Sequence, residues 1–286
     1  MQNDGVVKTG HYDTLKGSYY VNCAFYNGQD LSKQAHPLSE QFPEFTAPNL
    51  WPDEGSLPGF KSAFEELCTV IIDTAIVVAG LVDKYAEANI KGYERGYLEH
   101  VVKSSILTKA RLLHYFPPKP SDDRDGYNCP DTSPRTEDAS PDSWCATHID
   151  HGCLTGLTAP MYVDESQERL TSHTTGDMSP LRCLAQPPDA STGLYIQARD
   201  STIVKVSIPP DCLAFQTGEA LQVITGGQFK AVPHFVKAGA KNRLGGTAVA
   251  RNTLAVFTQP NLEDIVDPKK GTTFGEFSKH VMERFA

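Results

Sequence analysis

From Gly193 to Val236 the chain runs through five short apolar segments, GLYIQA, STIVKVSI, CLAFQ, ALQVIT and FKAVPHFV, rich in β-branched and aromatic residues. Turn-forming pairs separate them: Arg199-Asp200, Pro209-Pro210, Gly218-Glu219 and Gly226-Gly227. Strand-length runs at nearly regular spacing point away from βαβ units and towards an all-β sandwich or barrel. The expected fold is therefore mainly β with flanking helices, and a jelly roll is its natural form.

The flanks carry the helical signals. Pro58 opens a segment in which Phe60, Phe64, Leu67, Ile71, Val78, Leu81 and Tyr85 recur at helical spacing, which predicts one long helix with a core-facing stripe. At the other end, TFGEFSKHVMERFA places Thr273 and Glu276 in a capping box and puts Phe274, Phe277, Val281 and Phe285 on one face. That helix is expected to dock on the outside of the β core. Ser105 to Phe116 (SILTKARLLHYF) reads as a strand ended by Pro117-Pro118. Residues 1 to 57, rich in Gly, Pro, Asn and aromatics, read as coil wrapping a surface formed later. The expected organisation is an N-terminal wrap and packing helix over 1–104 and a jelly-roll core with its terminal helix over 105–286. Two polar stretches, Lys119–Asp142 and Glu165–Thr192, read as mobile flaps or inserts.

Composition narrows the partners. A formal charge of −9, without a basic stripe, argues against nucleic acid, whose phosphates demand clustered Lys and Arg. Seven scattered cysteines with no CxxC indicate neither a disulfide framework nor a thiolate zinc site, and favour a reducing compartment. The start, MQNDGVVKTG, lacks the pattern of a secretory signal, and the longest apolar run, Val70 to Val82, is broken by Asp73 and too short for a bilayer. The expectation is a cytoplasmic protein with no membrane partner and an oligomeric state that composition does not decide.

The chemistry-bearing stretch is WCATHIDHGCLTGL, Trp144 to Leu157. On a strand, His148 and Asp150 would share a face and reach one metal ion from one side. The alternative is a polar strand edge, since a lone HxD is a weak signal. His234, in FKAVPHFV, is the best-placed third ligand; two histidines and a carboxylate with open positions suit non-haem Fe(II). Downstream, Arg251 and Thr253 in ARNTLAVF share a face, and a guanidinium beside a hydroxyl is a carboxylate receptor.

Taken in order, these pieces resemble the iron- and 2-oxoglutarate-dependent dioxygenases of the isopenicillin N synthase-like group. The matching segments are His148-Ile149-Asp150, CLTGLT, GLYIQA, Pro210-Asp211-Cys212-Leu213, Gly218 to Gln222, Gly227 to His234, and Arg251-Asn252-Thr253, within residues 109 to 260. The resemblance implies a double-stranded β-helix, with His148, Asp150 and His234 as iron ligands and Arg251 with Thr253 holding the distal carboxylate of 2-oxoglutarate. It implies a small-molecule substrate, hydroxylated as 2-oxoglutarate is decarboxylated to succinate. The implied cofactors are Fe(II) and 2-oxoglutarate, with ascorbate as an optional addition.

Three departures from the family stand out. Where the family often has Asn-Tyr-Tyr-Pro, this chain has His114-Tyr115-Phe116-Pro117. Phe116 cannot donate the hydrogen bond of the second tyrosine, so His114 becomes a candidate for cosubstrate or substrate contact, or else a satisfied core histidine. The interval from His234 to Arg251 is longer than usual, with Ala238–Thr247 as an extended turn and Arg243 as a lesser rival to Arg251. The N-terminal region is shorter than usual. Strand alternation demotes His151 to a supporting or core role, His173 falls in a polar insert, and Trp144 reads as either pocket lining or core. Two other readings remain: an iron oxidase or cyclase that does not use 2-oxoglutarate, and a non-catalytic jelly-roll binding protein.

Overall fold

The computed structural model describes residues 15–117, 143–166, 182–239 and 248–283. The flap from Lys119 to Asp142, His173, Arg243 and Phe285 therefore lie outside the described residues, as do most of the second flap and most of the turn Ala238–Thr247.

The N-terminal part forms β1 (Lys16–Asn22), α1 (Pro43–Thr46), α2 (Phe60–Asn89), α3 (Tyr97–Ser104) and β2 (Lys109–Tyr115). Then come β3 (Ser143–His148), β4 (Leu154–Thr158), β5 (Met161–Asp164), β6 (Arg182–Leu184), β7 (Gly193–Gln197), β8 (Ile203–Val206) and β9 (Leu213–Thr217). The remainder is α4 (Glu219–Ile224), β10 (His234–Lys237), β11 (Val249–Thr258), β12 (Ile265–Asp267), β13 (Thr272–Thr273) and α5 (Phe274–Glu283). Among the described residues no helix is long and apolar enough to cross a membrane.

Two antiparallel sheets carry the β core. The larger follows the order β1-β2-β11-β4-β9, with β5 also paired to β11 and β6 to β5; the smaller follows β3-β10-β7-β8. Leu113, Tyr115 and Ala255 of the large sheet meet Trp144, Leu194 and Val236 of the small one in a shared apolar core. On the opposite face of the large sheet, Ala110, Leu254 and Val256 meet Phe64, Cys68, Ile71 and Ile72 of α2. β11 is thus covered on both sides, which is why VARNTLAVFT is apolar almost throughout rather than alternating. Full burial of Ile71 and Ile72 contributes about 1.5–3 kcal/mol each. α2 approaches β4 so closely that a Cβ on Gly156 would lie 2.4 Å from Ile71 Cγ2, so no larger residue fits there.

Several expectations are corrected. ALQVIT is not a strand but α4. The coil predicted over residues 1 to 57 contains β1, which pairs along its whole length with β2. The strand expected from Ser105 starts at Lys109; Ser105 to Thr108 connect it to α3, which ends at Ser104. The stripe on α2 is also rotated: Phe64 and Ile71 are buried, but alongside Cys68, Ala75, Ala79 and Ala86, whereas Leu67, Leu81 and Tyr85 face solvent. Small residues at the contact let the helix axis lie close to the sheet, and they carry little hydrophobic signal of their own.

Helix ends are tied down as the physics of unpaired amides requires. α3 begins without a side-chain cap of its own, and buried Asp83 of α2 accepts from the Leu98 and Glu99 amides at 2.9 and 2.8 Å. α5 begins with the predicted capping box: Thr273 N–H donates to Glu276 Oε2 (2.9 Å) and Glu276 N–H to Thr273 Oγ1 (3.2 Å).

Candidate metal centre

Antiparallel pairing of β3 with β10 sets His148 directly opposite His234. Opposed residues of such a pair project to the same face, and the two imidazole centroids lie 4.2 Å apart. Asp150 joins them differently from expected. β3 ends at His148, so Asp150 belongs to the following turn, and strand alternation does not bring it to the site. The turn is positioned by the first turn of α4: Glu219 N–H donates to the Asp150 carbonyl (2.8 Å), and Ala220 N–H to those of His151 (3.2 Å) and Gly152 (3.1 Å). Amides left unpaired at a helix start are here used to hold a ligand-bearing loop.

Hydrogen bonds then decide which atoms face inward. Asp150, buried, accepts at Oδ2 from Thr155 Oγ1 (2.7 Å) and Gln216 Nε2 (2.9 Å). Its Oδ1 is left facing His148 Nε2 at 4.0 Å and His234 Nε2 at 3.7 Å. His148 Nδ1 lies 2.8 Å from the Ala146 carbonyl, and His234 Nδ1 lies 3.0 Å from the Val232 carbonyl and 2.7 Å from the Gln216 side-chain amide. An imidazole that donates from Nδ1 keeps its lone pair on Nε2, the atom that binds a metal. One ligand atom from each of the three residues lies within 4.8 Å of the others. Two imidazoles and one carboxylate on a single side can hold a divalent ion such as Fe(II) and leave positions open for other ligands.

The two histidines titrate in opposite directions. Burial opposes charge on His148, but the Cys145 thiol beside it, the Ala146 carbonyl and Asp150 together raise its pKa to about 9. Burial lowers that of His234, aided by the neighbouring His148 and resisted by Asp150. A metal ion entering the site would displace the proton held on His148.

Arg251 and Thr253 sit on the same face of the large sheet as the partners of Asp150. Phe257 is paired with Thr155 and Thr155 with Gln216, so by alternation Ala255, Thr253 and Arg251 share their face. Arg251 is only 4% exposed, yet its Nε and Nη1 have no hydrogen-bond partner. The guanidinium lies over the Tyr115 ring, 5.3 Å from its centroid, and bonds the Tyr162 side chain. Thr253 Oγ1 donates to the Thr158 carbonyl at 3.3 Å. A buried cation with unused donors beside a hydroxyl is incomplete without an anion. A carboxylate is the natural complement, because its two oxygens match the guanidinium fork.

His114 is placed elsewhere. In register with Asn252 rather than Arg251, it projects from the opposite face of the sheet, where it meets Asn252 Oδ1 (Nδ1, 2.6 Å) and Glu165 Oε1 (Nε2, 3.1 Å). The proposed substitution of His114 for the missing tyrosine hydroxyl is therefore corrected by the parity of the strand. Tyr115, one residue on, is the side chain that reaches Arg251. Trp144 is fully buried, donates to the Phe116 carbonyl (2.8 Å) and stacks near Tyr115, so it is core. His151 turns away from the centre, stacking on Phe277 and meeting Ser278 Oγ at 2.8 Å; it lies beyond the end of β3, so the alternation argument does not account for its direction. Thr155, Gln216, Tyr115 and Tyr162 were not singled out from sequence; only the GCLTG and FQTGE contexts of the first two offered any signal, since Thr and Gln are ordinary strand residues.

Comparison with known proteins places this geometry. No family-level sequence profile matches the chain. A gibberellin 2-beta-dioxygenase of rice (Oryza sativa subsp. japonica) is 31% identical over 120 residues, 40% of this chain and 30% of that protein. A feruloyl CoA ortho-hydroxylase of Ipomoea batatas is 32% identical over 94 residues, 32% of this chain and 24% of that protein. The alignments thus span less than a third of either relative. Among solved structures, a 2OG-Fe(II) oxygenase family protein of Caulobacter crescentus aligns with a TM-score of 0.58 at 19% identity, covering 96% of this chain and 71% of its own. JOX2, solved with 2OG, Fe and JA, aligns with a TM-score of 0.54 at 15% identity, covering 93% and 60%. At these identities the likeness establishes the fold, the double-stranded β-helix that the resemblance implied.

Proposed function

We propose that the chain is an Fe(II)- and 2-oxoglutarate-dependent oxygenase that hydroxylates a small molecule, a reading supported by its partial likeness to a gibberellin dioxygenase and a feruloyl CoA hydroxylase. The observation that carries this reading is Arg251: a buried guanidinium with two unpartnered nitrogens, on the face that also presents the partners of Asp150. His148, Asp150 and His234 would hold the iron, and Arg251 with Thr253 would take the distal carboxylate of 2-oxoglutarate. When bound, iron with its cosubstrate supplies the oxidising chemistry, with 2-oxoglutarate converted to succinate.

The chain's own contribution is positional. Thr155 and Gln216 hold one oxygen of Asp150 so that the other faces both imidazoles. Backbone carbonyls at Ala146 and Val232 orient the rings. Arg251 neutralises the cosubstrate's charge in a place shut off from water, where the interaction is stronger than at the surface. No general acid or base is required of the protein.

The relatives named above are a gibberellin dioxygenase and a feruloyl CoA hydroxylase, and JOX2 was solved with a small-molecule ligand. These support a small organic substrate. Oxygen uptake coupled to succinate formation tests the reading. Turnover of a productive substrate with no consumption of 2-oxoglutarate would replace it with an iron oxidase.

A further inference from the structure

We propose that the outer face of α2 is a self-association surface, on which a second copy of this chain docks its own α2 antiparallel. Beside the face buried against the sheet, Leu67, Val70, Val77, Leu81 and Tyr85 are 41, 56, 64, 60 and 51% exposed. With half-buried Thr74 they follow one another at intervals of three and four residues. That is the spacing of a coiled-coil seam, and over these residues it runs for about 27 Å. A single exposed leucine needs no explanation, but a continuous stripe of this length on a regular helix does.

The charges beside the stripe choose the occupant and its direction. Glu66 and Asp73, both exposed, border its N-terminal half, and Lys84, also exposed, borders its C-terminal half. Arg199 adds a second cation at that end, lining with Val78, Leu81, Tyr85 and Phe229 a groove of about 390 Å³. A parallel pair would stack acid on acid at the level of Glu66 and Asp73. An antiparallel pair with its axis between Thr74 and Val77 sets Leu81 across from Val70 and brings Lys84 beside Glu66 of the second copy. The surface is therefore complementary to itself under a two-fold axis, as an isologous interface must be.

The test is the mass of the full 286-residue chain by sedimentation equilibrium, over about 1 to 300 µM, the range suited to a modest helical interface. A dimer is expected that dissociates on dilution. V77E, at an exposed position that leaves the fold intact by circular dichroism, is expected to remain monomeric throughout, because the two-fold axis would bury two unpaired carboxylates. K84E and E66K alone are each expected to weaken the dimer about two- to five-fold. The double variant K84E/E66K is expected to recover the parent affinity. A wild-type chain that stays monomeric, or a V77E variant that still dimerises, would overturn the interface. Failure of the double variant to recover would overturn the antiparallel pairing.

Discussion

Gly218 lies against the turn that carries Asp150: a Cβ at Gly218 would stand 2.9 Å from the Asp150 carbonyl oxygen and 2.3 Å from that of Gly152. Gly218 itself adopts extended backbone angles that any residue tolerates (φ −110°, ψ 179°), so the constraint is space and not conformation. Gly218→Ala is expected to push the Asp150 turn off the first turn of α4. A loss of about 1–3 kcal/mol in denaturant unfolding is predicted, with weakened Fe(II) binding by anaerobic titration. Unchanged metal affinity would show that the turn does not depend on this packing.

Arg251 carries a buried charge without full partners, and replacing it separates metal from cosubstrate. Arg251→Met should leave Fe(II) affinity near the parent value and weaken 2-oxoglutarate binding about 100-fold, the loss expected for a charge-assisted bidentate pair. Without ligands, the variant should be at least as stable as the parent in a thermal melt, because an unpaired buried cation is costly. Arg251→Lys should rescue only partly, as an ammonium cannot reproduce the fork.

Thr155 acts on the metal through Asp150, and Gln216 through both Asp150 and His234, whose Nδ1 lies 2.7 Å from Gln216 Nε2. Gln216→Leu and Thr155→Val each strip one of the two donors from Oδ2 and leave the carboxylate less firmly oriented. Fe(II) affinity is expected to fall about 10- to 100-fold, while affinity for 2-oxoglutarate at saturating iron stays close to the parent's. Calorimetric titration of metal and then cosubstrate distinguishes the two effects.

Far from the centre, Lys109 is held low by burial, its pKa lowered to about 8 with Glu44 resisting only in part, and its ammonium rests 5.2 Å over the Phe45 ring. The folded pKa is depressed below the unfolded one, so between about pH 8 and 10.4 the unfolded chain binds the extra proton. Stability from this group is full above the unfolded pKa and is lost as pH falls through 8. Lys109→Met should therefore stabilise the fold at pH 7 by about 1–2 kcal/mol and flatten the rise between pH 8 and 10; chemical unfolding at several pH values reads both.

Much of this molecule was legible in its residues. The strands β7, β9 and β11 follow a pattern that burial imposes, β8 shows itself by β-branched residues although Ile203 and Val204 are exposed, and His148, Asp150, His234, Arg251 and Thr253 are residue types that ordinary strands seldom need together. What escaped was decided by geometry over distance. The six residues of α4 are too few to show a helical period, so their apolar run reads equally well as a strand. The buried face of α2 is built from Ala75 and Ala79, which signal little, while Leu81 and Tyr85 signal strongly and lie outside. His114 and Tyr115 exchange roles because a shift of one residue reverses the face of a strand. The placement of Asp150 by a helix start more than sixty residues further along the chain has no local trace at all.

The central claim is that His148, Asp150 and His234 hold iron beside a cosubstrate anchored by Arg251. Anaerobic addition of Fe(II) and then 2-oxoglutarate, followed by visible absorption, tests it most directly. The parent chain is predicted to develop a weak metal-to-ligand band only when both are present, His148→Ala and Asp150→Ala to develop none, and Arg251→Met to require far more 2-oxoglutarate. A parent chain that shows neither the band nor measurable iron affinity would contradict the account.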